Sequence, residues 1–500
     1  MRRRVECALQ EGSVSKKPMI KSVPRDQVAL YQIMSELADF KAYDELVKLC
    51  DQTIAIYAND SEAYRFKAYA FFKLGKLSEA EMLINLSIQK NKNSEQAYII
   101  LALIQQEKNE PLLSIESCKK VLQLNPNHAE IYAMLGFKYL RVDSIEEAET
   151  AFKKAIELKH ETHEVYTNLG LVSLWKEDNK TALHYLSKAR QSVDEGRVFL
   201  PENGVMRHKV EHDYQQLQYL IERGYVKASD HVAYLDSLQE ILEAYPDKNM
   251  PYSIKLNAKM IQSIAPSFCE SIHIYCPEEI PGGALNPELN YQAIEEEYFD
   301  SKPEMVCIDD FLKPETLVNL RRHCVESSIW KKVYHTGYLG AMLGAGFSNP
   351  LLLQIAREIP KKMPRIFSGH RLNQAWSFKC DSHLKGITLH ADFAAVNLNL
   401  WVTEQDSVLD PSKCGLIVWD KESPDNWTFS DYNSSQNKIR EFLRNACAKP
   451  IRIPYKENRI LMFNSTLFHE TDEIKFKDQF DKRRLNITFL YGQRLLVPNY

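Results

Sequence analysis

The stretch AEIYAMLGFKYLRVDSIEEAETAFKKAIELK, residues 129–159, decides the fold of the N-terminal part of this 500-residue chain. It places a large residue, Tyr132, early in one apolar-periodic segment and a small residue, Gly136, four positions later. A second periodic segment carries Ala148 and Phe152 at helical spacing. Small residues let two helices approach closely, so the stretch predicts an antiparallel helix pair.

This pattern returns at a regular interval along the chain. Three sets of positions keep the same spacing: Tyr64, Tyr98, Tyr132 and Tyr166; Ala68, Ala102, Gly136 and Gly170; and Ala80, Ser114, Ala148 and Ala182. Helix pairs that recur with this period resemble the tetratricopeptide repeat, whose unit is about 34 residues long. Four repeats are therefore predicted, at residues 61–94, 95–128, 129–162 and 163–195.

Residues 27–60 form a fifth, less regular unit, because Leu30, Ile33 and Leu37 are in phase but larger residues stand at the small positions. Stacked repeats form a superhelix with a concave groove, which is typical of a surface that binds a peptide or partner protein. A purely structural role, in which the array packs on the next domain, is the alternative.

The bulk composition excludes little. The formal net charge of -4 and the lack of a basic stripe give no indication of a nucleic-acid partner. Ten cysteines without a Cys-x-x-Cys pair favour reduced thiols. Neither a signal peptide nor a run of apolar residues long enough for a membrane span is recognised in the sequence, so we predict a soluble, cytoplasmic protein with no membrane partner.

Between the repeats and the C-terminal region, residues 207–223 and 228–244 read as helices that cap the array. The glycine-rich run at 337–346 lacks the Lys-Ser/Thr of a phosphate-binding loop, and we interpret it as a flexible loop near a site mouth. The predicted domains are a disordered or poorly ordered N-terminus at 1–26, a repeat array at 27–195, a helical cap and linker at 196–300, and a β domain at 301–500.

The C-terminal region is predicted to consist mainly of short strands. An entry strand and helix at 305–327 come first, and five strands are predicted at 375–379, 396–402, 415–419, 459–463 and 486–491. Many short strands indicate an all-β sandwich or barrel. Residues 404–458 form a long insertion, which we expect to wall or cover a site and to determine substrate specificity.

Potential metal ligands stand at two strand ends. His390 and Asp392 are two positions apart, so an extended backbone directs both side chains to one side. His469, after the strand at 459–463, is the candidate for a third ligand. Two imidazoles and one carboxylate suit Fe(II) and leave coordination positions open. As an alternative, these are ordinary strand histidines and Asp392 is a turn residue.

A candidate carboxylate-binding residue lies on the last strand. Strand alternation places Arg484, Asn486 and Thr488 on one face, with Arg483 pointing away. The planar guanidinium of Arg484 can hold a carboxylate through two hydrogen bonds. The sequence therefore predicts a site for an anionic small molecule beside the metal ligands.

The series His390-x-Asp392, His469 and Arg484 resembles the 2-oxoglutarate/Fe(II) oxygenase superfamily over roughly residues 303–495. The resemblance implies a double-stranded β-helix (jelly roll) with flanking helices. It also implies that His390, Asp392 and His469 are the catalytic iron ligands and that Arg484 binds the C5 carboxylate of 2-oxoglutarate. Asn486, as a further cofactor-binding residue, stands where the family often has Ser.

Two departures from the family pattern concern the cosubstrate and the spacing. Cys380 lies where several hydroxylases of this type place a 2-oxoglutarate-binding Tyr, and Asn397 or Asn399 is the candidate to substitute for it. The interval from His469 to Arg484 is longer than usual.

The predicted fold class is a multidomain α + β protein, with an N-terminal α-solenoid of tetratricopeptide repeats before the jelly-roll domain. The resemblance implies a dioxygenase that uses Fe(II), 2-oxoglutarate and dioxygen to hydroxylate a C–H bond. A protein or peptide side chain presented by the repeats is the first candidate substrate, and a small molecule is the second. The alternative is a repeat scaffold whose catalytically inactive, cupin-like module binds a partner protein.

Overall fold

The computed structural model describes residues 26–195, 204–249, 252–382 and 384–493. Its contacts divide the chain into two compact units, Met1–Glu161 and Thr162–Tyr500. Most of the N-terminus that we expect to be disordered, residues 1–25, lies outside the described residues.

The first unit is a series of antiparallel helix pairs. Its helices are α1 (Gln27–Asp39), α2 (Tyr43–Ile56), α3 (Ser61–Lys73), α4 (Leu77–Lys90), α5 (Glu95–Glu107), α6 (Pro111–Leu124), α7 (Ala129–Arg141) and α8 (Ile145–Glu157). The predicted helical repeats are thus confirmed, including the less regular pair at 27–60. Polar residues begin several helices: Asp60 and Ser94 accept hydrogen bonds from the backbone N–H of Ala63 and Ala97.

The small residues of the repeat pattern lie where the helices of a pair meet. Ala68, Ala102 and Ala148 are fully buried. Gly136 of α7 faces the ring of Phe152 on α8, and a Cβ atom built on Gly136 would lie 2.7 Å from Phe152 Cζ. The regular recurrence of small residues therefore reflects close helix contact.

Replacing Gly136 with alanine is expected to destabilise the repeat unit by about 1–3 kcal/mol, because the added methyl group forces the Phe152 ring to move within a packed interface. Urea or thermal unfolding of the full chain measures this effect. The double variant Gly136→Ala/Phe152→Leu has a smaller side chain opposite the methyl group and should recover part of the loss. An unfolding midpoint of Gly136→Ala equal to that of the parent chain would contradict this account of the packing.

The second unit begins with the helix pair α9 (His163–Trp175) and α10 (Asn179–Glu195). Its other helices are α11 (Arg207–Glu222), α12 (Val232–Ala244), α13 (Ala258–Ile264), α14 (Tyr291–Asp300), α15 (Pro314–Glu326), α16 (Pro350–Lys362), α17 (Phe429–Asn433) and α18 (Gln436–Asn445). The indole of Trp175 donates a hydrogen bond of 2.8 Å to the carbonyl of Leu372. The predicted repeat at 163–195 is thus packed on the sheet-bearing region.

The strands of this unit are β1 (Val205–Met206), β2 (Ser253–Ile254), β3 (Met305–Ile308), β4 (Lys332–Tyr334), β5 (Tyr338–Met342), β6 (Leu372–Cys380), β7 (Val396–Trp401), β8 (Leu416–Glu422), β9 (Pro450–Ile453), β10 (Ile460–Asn464), β11 (Leu467–Thr471) and β12 (Leu485–Tyr491). They form an antiparallel seven-stranded sheet of order β3-β10-β7-β12-β6-β5-β4, a three-stranded sheet of order β11-β8-β9, and the pair β1-β2. The predicted sheet-rich C-terminal region is confirmed.

The two faces of the large sheet pack against different partners. On one face, Leu398 and Ile487 join a core with residues of α15 and α16. On the other face, Trp401 and Phe463 join a core with Leu416 of the small sheet. Since successive residues of a strand alternate between faces, the polar residues Asn397 and Asn399 of β7 face the small sheet with Trp401.

We predicted a flexible loop over the glycine-rich run at 337–346, and this prediction was wrong for residues 338–342, which form β5. The rest of the run is turn and 3-10 structure. β5 pairs with β6 so that Gly340 lies opposite Phe378. A Cβ atom on Gly340 would approach the ring of Tyr334 to 3.1 Å. The glycine is therefore a site of close packing inside a strand.

The helices predicted at 207–223 and 228–244 correspond to α11 and α12. We predicted that they cap the repeats. α11 packs at the end of α15, where Gln216 donates to the carbonyl of Ser327 at 2.8 Å. Among the helices in the described ranges, none combines the length and apolar character that crossing a membrane requires.

Candidate metal centre

Two histidines are brought together by the backbone. His390, on the segment before β7, and His469, on β11, exchange two hydrogen bonds of 2.9 and 2.8 Å as an isolated antiparallel bridge. Their rings face the same side, with centroids 4.3 Å apart. The main chain thus fixes the relative position of residues that are far apart in sequence.

Asp392 completes the cluster. Its carboxylate oxygens lie 3.7 Å from His390 Nε2 and 3.5 Å from His469 Nε2. Within the described ranges, these three residues are the one group of His, Cys, Asp or Glu side chains whose ligand atoms all lie within 4.8 Å of one another. The structure therefore brings the three predicted metal-ligating residues together.

The imidazoles are oriented for coordination through Nε2. Nδ1 of His390 donates to the carbonyl of Thr388 at 2.8 Å, and Nδ1 of His469 donates to the carbonyl of Leu467 at 3.1 Å. A ligating histidine usually donates its other ring N–H in this way. Burial lowers the pKa of His390 to about 4, and the neighbouring His469 contributes to the same shift. His390 is therefore neutral near pH 7, with a free lone pair on Nε2.

Asp392 is held in place from two sides. Its backbone N–H donates to the carbonyl of Ser465 at 3.1 Å, and its carboxylate accepts a hydrogen bond of 2.6 Å from the amide of Asn397. Burial raises the pKa of Asp392, but the two imidazoles and Asn397 outweigh burial and leave that pKa below its usual value. The carboxylate therefore stays ionised although it is buried.

Asn397 begins a chain of buried polar side chains across the sheet. Asn399 donates to the Asn397 side chain at 2.6 Å, and Asn486 donates to Asn399 at 2.9 Å and to Thr488 at 3.0 Å. Nδ2 of Asn486 is therefore occupied, whereas its Oδ1 is buried without a hydrogen-bond partner. Of the two asparagines predicted as candidate cosubstrate residues, Asn397 donates its amide to Asp392 instead.

The insertion at 404–458 supports the segment that carries His390 and Asp392. Ala391 donates to the carbonyl of Tyr432 at 2.9 Å, and its own carbonyl accepts from Asn433 at 3.2 Å. Ile439 and Leu443 of α18 pack with Ala391 in one apolar cluster. Part of the insertion, which we expected to wall the site, therefore packs behind the candidate ligands and supports their backbone.

A small cavity of about 20 Å³ adjoins the cluster. Its lining residues are Trp376, Phe378, Ile387, His390, Asp392, Asn399, Leu416, His469, Thr471 and Thr488. Of the predicted cosubstrate residues, Asn399 lines this cavity, whereas Arg484, Asn486 and Asn397 lie beyond its lining. Apart from the three ligands the lining is uncharged and mostly apolar, which suits a neutral group next to the metal position.

Arg484 directly precedes β12, two and four positions before Asn486 and Thr488, and is fully buried. Its guanidinium donates to the carbonyls of Cys414 at 3.0 Å and Gly415 at 3.2 Å. Among the described residues, no carboxylate oxygen lies within 4.0 Å of it. The site therefore contains a buried cation that lacks an anionic partner.

Two tyrosines near Asp392, Tyr334 and Tyr338, were not predicted from the sequence. Tyr338 of β5 lies directly opposite Cys380 in the sheet, and its ring contacts Phe378 edge-on at 5.2 Å between centroids. Burial raises the pKa of Tyr334, and the charge of Asp392 adds to this shift. The short apolar run Tyr-Leu-Gly-Ala-Met at 338–342 was the available signal, which the glycines obscured.

Comparison with known proteins identifies the N-terminal repeats. A family model described as "Tetratricopeptide repeat" matches residues 95–128 and 129–161. The Cell division cycle protein 27 homolog of Caenorhabditis elegans is 34% identical over 76 residues, which are 15% of this chain and 10% of that protein. The N-terminal region therefore carries tetratricopeptide repeats, and the chain matches only a small part of this relative.

Solved structures that are similar to this chain include the crystal structure of MamA, with 20% identity over 33% of this chain and 95% of that chain at a TM-score of 0.31. MamA from Desulfovibrio magneticus RS-1 has 21% identity over 34% of this chain and 97% of that chain, with a TM-score of 0.32. YrrB, described as a TPR protein with an unusual peptide-binding site, has 17% identity over 33% of this chain and 86% of that chain, with a TM-score of 0.30.

Proposed function

We propose that the chain is an Fe(II)- and 2-oxoglutarate-dependent oxygenase that hydroxylates a C–H bond and carries its catalytic domain next to tetratricopeptide repeats. The observation that carries the proposal is the His390, Asp392 and His469 cluster, with ligand atoms within 4.8 Å of one another beside a cavity. Two imidazoles and one ionised carboxylate, with no thiolate in the cluster, match the donor set that favours non-haem Fe(II).

The strand order supports a double-stranded β-helix for this domain. Between β6 and β12 the chain moves repeatedly from one sheet to the other. After β6 in the large sheet it reaches the His390 bridge at the small sheet, and it then forms β7 in the large sheet. The next strands, β8 and β9, both belong to the small sheet. The chain then returns to β10 in the large sheet, β11 in the small sheet and β12 in the large sheet. Eight segments that alternate between two sheets in this way are typical of a jelly roll.

Two features support a dicarboxylate cosubstrate. Arg484 is a buried cation without a carboxylate partner among the described residues, so a bound anion would relieve an electrostatic cost. Thr488 lines the cavity and Asn486 lies between it and Arg484 on the same face of β12. A 2-oxoglutarate molecule that extends from the cavity along β12 would direct its C5 carboxylate toward Arg484.

When bound, ferrous iron and 2-oxoglutarate would together with dioxygen supply the oxidising power for C–H hydroxylation, with conversion of 2-oxoglutarate to succinate and CO2. His390, Asp392 and His469 would hold the iron, and Asn397 would orient the Asp392 carboxylate. Phe378 and Trp376 would exclude water from the reacting groups. The protein thus contributes geometry and access, while the iron and cosubstrate contribute the oxidising chemistry.

A protein or peptide side chain is the proposed substrate class, because grooves of stacked repeats usually bind peptides or partner proteins. Phe393, directly after Asp392, is 38% exposed and offers an aromatic surface next to the ligands. Most of the cavity lining is apolar and uncharged, which favours a neutral segment of the substrate at the reacting position.

Metal analysis combined with a 2-oxoglutarate assay tests the proposal. Full-length protein reconstituted anaerobically with Fe(II) is expected to bind one iron per chain and to form succinate from 2-oxoglutarate under air, slowly when no substrate is added. The second candidate, a repeat scaffold with a catalytically inactive cupin-like module, predicts neither iron-dependent succinate nor a requirement for dioxygen. Absence of both iron binding and succinate would contradict the oxygenase proposal and favour the scaffold.

A further inference from the structure

A second buried polar cavity lies on the other face of the large sheet, beneath α11. It has a volume of about 10 Å³ and is lined by His208 and His212 of α11, by Lys379 of β6, and by Asp381 and Arg483 just outside β6 and β12. Phe378 lines the cavity at the metal ligands, and Lys379, the next residue of β6, points to the opposite face. The two cavities are therefore on opposite faces of the same strands.

Several nitrogen atoms around this second cavity have no hydrogen-bond partner. They are Nζ of Lys379, Nε and Nη2 of Arg483, and Nε2 of His212. The three side chains are buried, with exposures of 2%, 3% and 1%. A buried donor that is left unpaired costs about 1–3 kcal/mol, and a charged one costs more. Lys379 Nζ in particular is a buried donor without an acceptor among the described residues.

The surrounding carboxylates do not supply that acceptor to Lys379. Asp381 and Asp478 lie 3.6 and 3.7 Å from Nη2 of Arg483. Asp213 bonds Lys209 at 2.7 Å and approaches His212 Nδ1 to 3.1 Å. Within the described ranges, no carboxylate oxygen lies within 4.0 Å of Lys379 Nζ, which instead rests 3.3 Å from the centroid of the Phe480 ring.

Burial lowers the pKa of Lys379 well below its usual value, the charge of Arg483 lowers it further, and Asp481 opposes the shift. An anion in the cavity would favour the charged ammonium and accept hydrogen bonds from Lys379 and Arg483. Pockets for drug-sized ligands usually enclose about 300–1,000 Å³. A cavity of about 10 Å³ is far smaller than these and has room for a single small ion at most.

We propose that this cavity is a structural binding site for a small monovalent anion of halide size, held by Lys379 and Arg483 between α11 and the large sheet. The ion balances the charge of Lys379 and joins the helix to the strands that carry Cys380 and Arg484 on their other face. This site does not depend on the proposed oxygenase activity.

Halide titration of the full-length protein tests the site. Chloride or bromide is expected to raise the unfolding midpoint by at least about 3 °C relative to gluconate at the same ionic strength, because a ligand that binds only the folded state stabilises it. Crystals soaked in bromide should show an anomalous peak between Lys379 Nζ and Arg483. Lys379→Met should remove the halide effect, whereas Lys361→Met, at a lysine whose side chain is 55% exposed, should retain it.

A water molecule beside a neutral Lys379 amine is the competing explanation. It predicts equal unfolding midpoints in chloride and gluconate and no bromide peak, and this result would overturn the proposal. If Lys379→Met does not fold, the measurements on the unaltered protein decide the question alone.

Discussion

Replacing His469 with alanine is expected to weaken ferrous-iron binding by more than about 100-fold and to remove iron-dependent succinate formation. Changes to groups that only orient a metal ligand already cost about 10–100-fold in metal affinity, so loss of a ligand should cost more. The fold should survive, since the bonds between His469 and His390 that hold β11 in place are made by the backbone. Iron content after desalting and succinate formation at saturating 2-oxoglutarate measure the effect.

His231→Ala serves as the control for this experiment, because His231 begins α12 and takes no part in the cluster. It should retain the iron content and the succinate rate of the parent chain. Circular dichroism of both variants separates loss of the metal from loss of the fold. A His469→Ala protein that still binds iron and turns over 2-oxoglutarate would refute the ligand assignment.

The repeats were predictable because their contacts are local. Gly136 and Phe152, which touch across a helix pair, are close together in the sequence, and the same spacing of small and large residues returns in each repeat. A sequence period therefore records a structural contact directly. Where a repeat packs is not recorded in this way. Trp175 of the fourth repeat bonds Leu372, which lies far along the chain.

The ligand cluster was predictable from residue chemistry and strand alternation. The spacing of His390 and Asp392 placed both side chains on one side of an extended segment, and a second histidine near a strand end completed a plausible set. The backbone bridge between His390 and His469 could not be predicted, because it depends on pairing between two segments that are separated by the long insertion and several strands.

The supports of the cluster were harder to predict than its ligands. Asn397 appeared as a candidate cosubstrate residue, yet its hydrogen bond to Asp392 gives it a positioning role. Nothing local in the insertion indicated that α18 packs behind Ala391. The glycines of 337–346 suggested a loop, and only the pairing of β5 with β6 shows why they are needed. Each failure concerns a tertiary contact that overrides a local preference.

Replacing Arg484 with methionine is expected to raise the dissociation constant of 2-oxoglutarate by roughly 30-fold or more while the iron content stays unchanged. Truncating one partner of a buried, hydrogen-bonded charge pair costs about 2–5 kcal/mol, and about 1.4 kcal/mol corresponds to a factor of ten. Calorimetry or ligand-induced thermal stabilisation of the iron-loaded protein under anaerobic conditions gives the dissociation constant without turnover.

Methionine keeps most of the volume of Arg484 but cannot donate hydrogen bonds to the carbonyls of Cys414 and Gly415. The free energy of unfolding of the ligand-free variant is therefore expected to fall. Binding is therefore measured well below the unfolding midpoint. Arg444→Met, at an exposed arginine on α18, is the control. It should leave the dissociation constant of 2-oxoglutarate within about twofold of the parent value, because surface substitutions usually change free energies by no more than about 0.5 kcal/mol. If Arg484→Met binds 2-oxoglutarate as tightly as the parent chain, the cosubstrate carboxylate must bind elsewhere. The buried guanidinium would then serve only to hold the backbone of Cys414 and Gly415, directly before β8.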